Sequence, residues 1–474
     1  MMKPVSKRDG TVCEQTVAPA YWANRLAIRV PRIAGNPCLP VLKPLLGRVR
    51  GAILAAAFLA LAVSAARAEN WPQWRGPFFN GSTTETNLPE KFSPTENCVW
   101  TARLPGIGAS TPAVWGDRVF ATAQDPASKK TFALCLSVAD GSILWQHEIA
   151  DGADFARGNT AASPSPIADA DRAYFYFGTG DLAAFDFAGK FLWRRNIARD
   201  HGPFEIKFGY ASSPLLFAGR LYVPVIQGRE SAGKMDISYL LCIDPATGRD
   251  LWKHRRPSDA NAEAKQAYTT PVPFHVAGRT QILLTGADYV TAHDPATGEE
   301  LWRSPSYDPQ RHELFRTVAS SVAAGETVFV AAPRNTKSHG LKIGPDGRPA
   351  ADAWTWTLDK NAPDACTPAV YDGKFLVLDG DSRYILRLDP AGGQILQRER
   401  IDDAAVFQAS PTVADGKIYC ISMDGEVVVL AADDFKVLHR ADFGGKECRS
   451  TIAVAAGRLF IRAGDRLFAI ARPD

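Results

Sequence analysis

The sequence lacks the signatures of the common catalytic machines. It holds no Walker phosphate-binding loop, no Gly-x-Ser-x-Gly nucleophile elbow and no His-Glu-x-x-His zinc motif. Its eight histidines fall at no metal-ligand spacing, and no two of its eight cysteines are adjacent. Beyond residue 68 no helix-length segment carries apolar residues at the helical period. The triplet Gly178-Thr179-Gly180 has no helix pattern behind it, so it forms a hairpin rather than a phosphate cradle. The apolar run at 51–65 is too short to span a bilayer comfortably. Arg48 and Arg50 precede that run and Ala66-Arg67-Ala68 ends it, which is the layout of a secretory signal with its cleavage site. Residues 48–68 are therefore expected to be a signal peptide, and residues 1–47 a leader extension or a mis-called start.

Charge of one sign is also missing once that leader is set aside. The chain has 54 bases and 51 acids, but ten of the bases and only two of the acids lie in residues 1–68. The remainder carries 44 bases and 49 acids, a net charge of −5. This excludes the basic footprint of a nucleic-acid binder. Six cysteines remain, Cys98, Cys135, Cys242, Cys366, Cys420 and Cys448. An exported chain could oxidise them in any of fifteen pairings. Cys135 and Cys242 fall at equivalent strand positions, where a buried free thiol is expected.

What the sequence does have is repetition. Asp-Pro-Ala-Thr-Gly begins at Asp244 and again at Asp294, and each copy runs on to Leu-Trp. Lining up more copies shows a Ser/Thr-Pro element eight times over. The residue before the proline slot is Thr111, Ser163, Ser213, Thr270, Ser321, Thr367, Ser410 and Thr451, a hydroxyl in every case. After each element come a Gly turn and a short apolar strand, as in "GRLYVPV" and "GKFLVLD". A third strand, an Asp/Gly turn and a fourth strand follow. Four short strands per repeat of 41–57 residues define an all-β, eight-bladed β-propeller of four-stranded antiparallel blades.

The fourth strand carries a tryptophan slot, filled by Trp145, Trp193, Trp252, Trp302 and Trp356 in the first five repeats and by Leu396 and Leu438 in the next two. The eighth repeat ends before reaching its slot. Trp100 stands twelve residues before Pro112, as Trp356 stands twelve before Pro368. The ring is therefore expected to close through an N-terminal strand that completes the last blade. The propeller spans 98–474, and residues 69–97, with Trp71 and Trp74, form a segment packing on the ring. The slot tryptophans are structural: burying one contributes about 2–3 kcal/mol.

These Asp-x-x-Thr-Gly-x-x-x-Trp repeats resemble the pyrroloquinoline quinone (PQQ) repeat superfamily, which includes quinoprotein alcohol dehydrogenases and the outer-membrane assembly scaffold BamB. The opening "NWPQWRGPFFNGS" and the closing "GRLFIRAGDRLFAIA" resemble the secreted, BamB-like propellers of planctomycetes more closely still. The resemblance implies one of two functions. As a quinoprotein, the chain would hold PQQ with Ca²⁺ in the central funnel, using a Glu/Asn/Asp ligand set, an Asp base and usually a disulfide between adjacent cysteines. This sequence has no pair of adjacent cysteines and no segment matching the ligand set. As a BamB-like module it would bind other exported or envelope proteins without catalysis and without a cofactor. BamB is tethered through a cysteine at its cleavage site, whereas Glu69 follows Ala68 here. The expectation is a periplasmic or secreted, monomeric binding or scaffolding propeller with no catalytic residue, no metal and no transmembrane anchor after signal cleavage. The alternative is a quinoprotein oxidoreductase.

Propellers bind at the funnel mouth, where the inner strands converge. Three positions before the proline slot stand Ala109, Ala161, Ala211, Tyr268, Ala319, Ala365, Gln408 and Arg449. Alanine suits a crowded axis, so the three large polar exceptions are candidate mouth residues, together with Tyr210 one step earlier in its repeat. Arg449 can fork onto a carboxylate. Insertions at 195–210, 225–239 and 332–354 are the other places to look. The last is the most basic, with Arg334, Lys337, Lys342 and Arg348, and is expected to be a solvated loop.

Overall fold

A computed structural model of the protein describes residues 69–228, 237–332 and 336–473, so the expected leader and signal peptide lie outside it. Among the described residues, 32 strands form eight four-stranded antiparallel sheets, the blades of a propeller. Among these described residues helix is confined to Ile197–His201 and two short 3₁₀ turns. No helix among the described residues is long and apolar enough to cross a membrane.

The first blade shows why these residues make these strands. Its inner strand is Ala113–Trp115, followed by Arg118–Gln124, Lys130–Ser137 and Ile143–Asp151. The second strand is buried along nearly its whole length, while the fourth is largely exposed. A strand sandwiched between blades on both faces is apolar throughout; an outer strand is covered on one side only. The ring closes as expected, because Cys98–Arg103 pairs with Arg466–Ala471 at the outside of the last blade.

The tryptophan slots knit each blade to the next. The ring of Trp100 covers Gly141, Trp145 covers Gly189, Trp193 covers Gly248, Trp252 covers Gly298 and Trp356 covers Gly393. Each covered glycine closes an Asp/Gly turn of the following blade. Gly189 has φ +84°, and a β-carbon there would lie 2.6 Å from the Trp145 indole. Both conditions demand glycine. In four slots the indole N–H donates to a backbone carbonyl of the next turn: Trp100 to Val138 O, Trp145 to Phe187 O, Trp193 to Pro245 O and Trp356 to Pro390 O, whereas the Trp252 N–H has no partner. Trp302 differs, donating to Gln281 Oε1 at 2.7 Å, because the fifth blade has no Asp-x-x-Thr-Gly turn to receive it.

The hydroxyls form a ring of their own. Thr111 N–H donates to Ser165 Oγ, Ser165 N–H to Ser213 Oγ, Ser213 N–H to Thr270 Oγ1 and Thr270 N–H to Ser320 Oγ. Ser320 N–H continues to Thr367 Oγ1, Thr367 N–H to Ser410 Oγ, and Thr451 N–H returns to Thr111 Oγ1. These bonds run 2.9–3.2 Å from blade to blade. The structure corrects two members: Ser165, not Ser163, serves the second blade, and Ser320, not Ser321, the fifth. Ser321 takes the proline slot and bonds Thr285 Oγ1 instead.

Residues 69–97 run across one end of the channel. Trp71 is fully buried and bridges Val114 of the first blade; Gln73 bonds Leu216 of the third; Asn80 and Gly81 accept from Val370 and Val413 of the sixth and seventh. Arg75 is buried and donates to Pro411 O at 3.0 Å and Pro368 O at 2.6 Å. Burial pushes its guanidinium down to about 9. All six cysteines are free, and those at 135 and 242 each sit opposite a slot tryptophan. Residues 333–335 of the basic insertion, with Arg334, lie outside the described residues, and the rest is not a loop. It folds largely into the strands Ser338–Ile343 and Pro349–Leu358, which complete the fifth blade.

Candidate functional site: an arginine-lined mouth on the central channel

With one end crossed by the N-terminal segment, the channel becomes a cup. Its cavity measures about 220 Å³, and Trp74, carried on that segment, is part of its lining. The wall is built from the positions three before each slot: Ala109, Ser163, Ala211, Tyr268, Val318, Ala365, Gln408 and Arg449. Ser163 and Val318 replace the expected Ala161 and Ala319, following the corrected register. The hydroxyl ring contributes the next layer, and all its oxygens but that of Thr451 already accept backbone amides.

Of the four candidate mouth residues, Tyr268, Gln408 and Arg449 line this cavity. Tyr210 does not. It is buried between the second and third blades, stacks on Phe204 at 4.7 Å, lies edge-on to Tyr176 at 5.1 Å and bonds Pro224 O. Gly209, at φ +79°, turns the chain so that Phe208 takes the cavity position instead.

Charge at the mouth comes from three arginines. Arg449 Nε donates to Gln408 Oε1 at 2.8 Å and Nη2 to Arg157 O at 3.2 Å, and Nη1 lies 3.4 Å from Glu447. Arg316, 8% exposed, pairs with Asp364 at 3.2 Å and with Glu263 at 3.6 Å. Arg157 and Arg316 both lie over the Phe208 ring, at 5.2 and 5.4 Å, an arrangement that holds guanidinium planes in place; Arg316 already has carboxylate partners. Phe208 N–H donates to Tyr268 Oη at 3.3 Å, and burial raises that phenol well above its usual range. Asp364 is the one carboxylate in the lining, and Arg316 engages it.

Sequence reasoning missed Arg157, Arg316 and Phe208, and placed Trp74 in a segment packing on the ring without assigning it to the cavity. Arg157, Phe208 and Arg316 sit in the connections that lead into blades, and Trp74 lies before the first repeat, so no repeat register points to them. Only the insertion 195–210 flagged the segment that supplies Phe208.

A second, smaller chamber of about 50 Å³ adjoins the first and shares Ala109, Asn159 and Arg449 with it. Arg462 lines it, 2% exposed, with Nη1 donating to Ser110 Oγ at 2.8 Å and Thr122 O at 2.7 Å.

An eight-bladed ring of Asp/Gly turns and slot tryptophans, with a cup at its axis, is a PQQ-repeat propeller. The model of the family described as outer membrane protein assembly factor BamB matches residues 93–239, 236–348 and 346–471, and the chain belongs to that family. A sequence search of curated proteins finds no match. Among solved structures, BamB from Moraxella catarrhalis is similar at 15% identity and TM-score 0.55, covering 79% of this chain and 97% of its own. Quinohemoprotein alcohol dehydrogenase from Comamonas testosteroni is similar at 12% identity and TM-score 0.58, covering 88% and 83%. A europium-containing methanol dehydrogenase is similar at 12% identity and TM-score 0.59, covering 84% and 90%. At these identities the likeness is one of fold.

The residues present do not fit a quinone held over a hard cation. Such a cation takes about six or more oxygen ligands with carboxylates among them. The main cavity offers the single carboxylate of Asp364, and no group of three or more His, Cys, Asp or Glu among the described residues could hold a metal ion. No histidine or cysteine lines the cavity.

Proposed function

We propose that the protein is an exported, non-catalytic propeller that binds other periplasmic or envelope proteins, recognising them at the arginine-lined mouth of its channel. The observation that carries this reading is the character of the cup. It presents Arg157 and Arg449 around a closed floor, beside an Arg316 that already holds Asp364 and Glu263, and most of its hydroxyls bond backbone groups. Such a lining has groups that recognise acidic chemistry and no free base or nucleophile to act on it. The family's description as an assembly factor of the outer membrane supports a protein partner, as does the likeness to BamB along nearly its whole length. In this reading the chain works as a monomer, without nucleic acid, cofactor or membrane anchor.

The test is site-specific photo-crosslinking in the exporting cell, with the reactive group at Gln408 in the mouth or at Glu90 in the sealing segment. A discrete protein adduct from position 408 and none from 90 is the expected result. Titration of the purified protein with PQQ, with and without Ca²⁺, completes it. Saturable, Ca²⁺-dependent stabilisation with dye reduction on alcohols would replace this reading by a quinoprotein oxidoreductase.

A further inference from the structure

The small chamber beside the mouth poses a problem of charge. Arg462 is buried, and two of its nitrogens, Nε and Nη2, have no hydrogen-bond partner. Its Nη1 bonds only neutral oxygens, those of Ser110 and Thr122. No hydrogen bond or ion pair joins it to a carboxylate; Asp465, two residues on from the strand that carries Arg462, pairs with Arg103 at 3.1 Å and acts on Arg462 only at longer range. Burying a charge without a paired counter-charge costs several kcal/mol, and burial pushes this guanidinium down to about 10, outweighing the opposing pull of Cys448 and Asp465. Water in the chamber would satisfy donors but not charge. The wall adds Lys446 and Arg449 to Arg462, against Glu447 alone. Gly108 keeps space open at the guanidinium, since a β-carbon there would come within 2.9 Å of Nη2. The chamber is large enough for one anionic head group and opens towards the main cavity through the residues the two share.

We propose that the two chambers form one site for a small organic anion, whose carboxylate or phosphate sits in the small chamber against Arg462 and Arg449 while its body extends into the cup lined by Trp74. This rests on the reading of the mouth as the binding surface and names a ligand class for it. Carboxylate and phosphate share the needed chemistry, a compact anion accepting several N–H donors at once. Such a ligand would give the buried guanidinium its missing counter-charge and tie the eighth blade to the loop that carries Asn159.

The test is thermal melting of the purified full chain at constant ionic strength, with malonate, inorganic phosphate or chloride as probe. Malonate or phosphate should raise the midpoint saturably, by about 3 °C at a hundredfold excess over the dissociation constant for a domain of this size. The better of the two identifies the head group. Chloride at equal ionic strength should do less. Arg462→Met, which removes the unpaired charge and keeps much of the volume, should abolish the response. Arg449→Gln, at the half-buried entrance, should weaken apparent affinity about tenfold by loss of one charged hydrogen bond, and it carries the test should Arg462→Met fail to fold. Equal responses in all three proteins, or equal responses to chloride, would mean screening only and overturn the proposal. Loss of the anion response with the Gln408 adduct intact would sink this inference alone. An intact anion response without the adduct would sink the protein-partner reading alone.

Discussion

The ring of hydroxyls makes a sharp prediction about the stability of the channel wall, because it is asymmetric. Thr111 Oγ1 accepts the N–H of Thr451 at 3.1 Å, whereas Thr451 Oγ1 accepts no bond from Ser410. Both threonines are buried, at 2% and 1% exposure. Thr111→Val keeps the shape of the side chain and removes the acceptor, leaving the Thr451 amide unsatisfied in the interior. An orphaned buried donor costs about 1–3 kcal/mol. Thr451→Val removes an oxygen that no neighbouring amide uses, so its cost should fall below about 1 kcal/mol. For some 400 ordered residues the unfolding entropy of about 2 cal/mol/K per residue converts the first range to a drop of about 1–4 °C in the melting midpoint. Differential scanning calorimetry on the two variants and the parent reads this directly. Equal midpoints for Thr111→Val and Thr451→Val would refute the reasoning, for they would show that the inter-blade bonds contribute nothing beyond side-chain packing. A drop confined to Thr111→Val would show that the wall is held by these bonds.

Other expectations follow from single contacts. Gly189→Ala should destabilise by about 2–4 kcal/mol in urea, from positive φ plus the collision with Trp145; in a Trp145→Ala background the collision is gone, and a coupling of less than about 1 kcal/mol in the double-mutant cycle would contradict the stacking. His293 is buried neutral, bonded through Nδ1 to Gly298 O and through Nε2 to Thr291 Oγ1, and burial pushes it down to about 4. Its folded value lies below its unfolded one, so it contributes stability above about pH 6.5 that is lost as pH falls towards 4, on the order of 3 kcal/mol; His293→Gln should flatten midpoint against pH in that window. Asp288 behaves oppositely. Burial, with Asp308 nearby, raises its carboxyl to about 7 despite Arg311 at 3.3 Å, so stability is complete below about pH 4 and falls as pH rises through 7. Asp288→Asn should therefore gain on the parent as pH rises from 4 to 8, and a pH-independent difference would count against this.

The parts of the fold legible in the sequence are those decided locally. A turn needs its Asp and Gly, and a covered turn needs its Trp, in every blade; eight copies of a local requirement survive as a visible period. The hydroxyl ring was legible as a pattern but not in register where the sequence is ambiguous. "ASPSP" offers two Ser-Pro pairs, and "ASSV" offers none. Which hydroxyl joins the ring depends on the amide of the neighbouring blade, and that is fixed across the ring rather than along the chain. The same holds for Arg157 and Arg316, which meet over Phe208 from connections in different blades. Departures from the repeat were the more informative signal. Tyr268, Gln408 and Arg449 break a row of small residues, and all three reach the cup. Tyr210 lay outside that row, and it went to the core. One departure of the same kind passed unnoticed because the strand around it is apolar. In "GRLFIRA" the arginine at 462 stands where the matching strands carry Thr122, Pro224, Leu378 and Ile421. A charge at a position that every other blade fills with an uncharged residue is not required by the repeat, although Nη1 ties the last blade to Ser110 and Thr122 of the first. Its other two nitrogens have no partner, and it lines the small chamber beside the mouth, where Glu447 lies against Arg449.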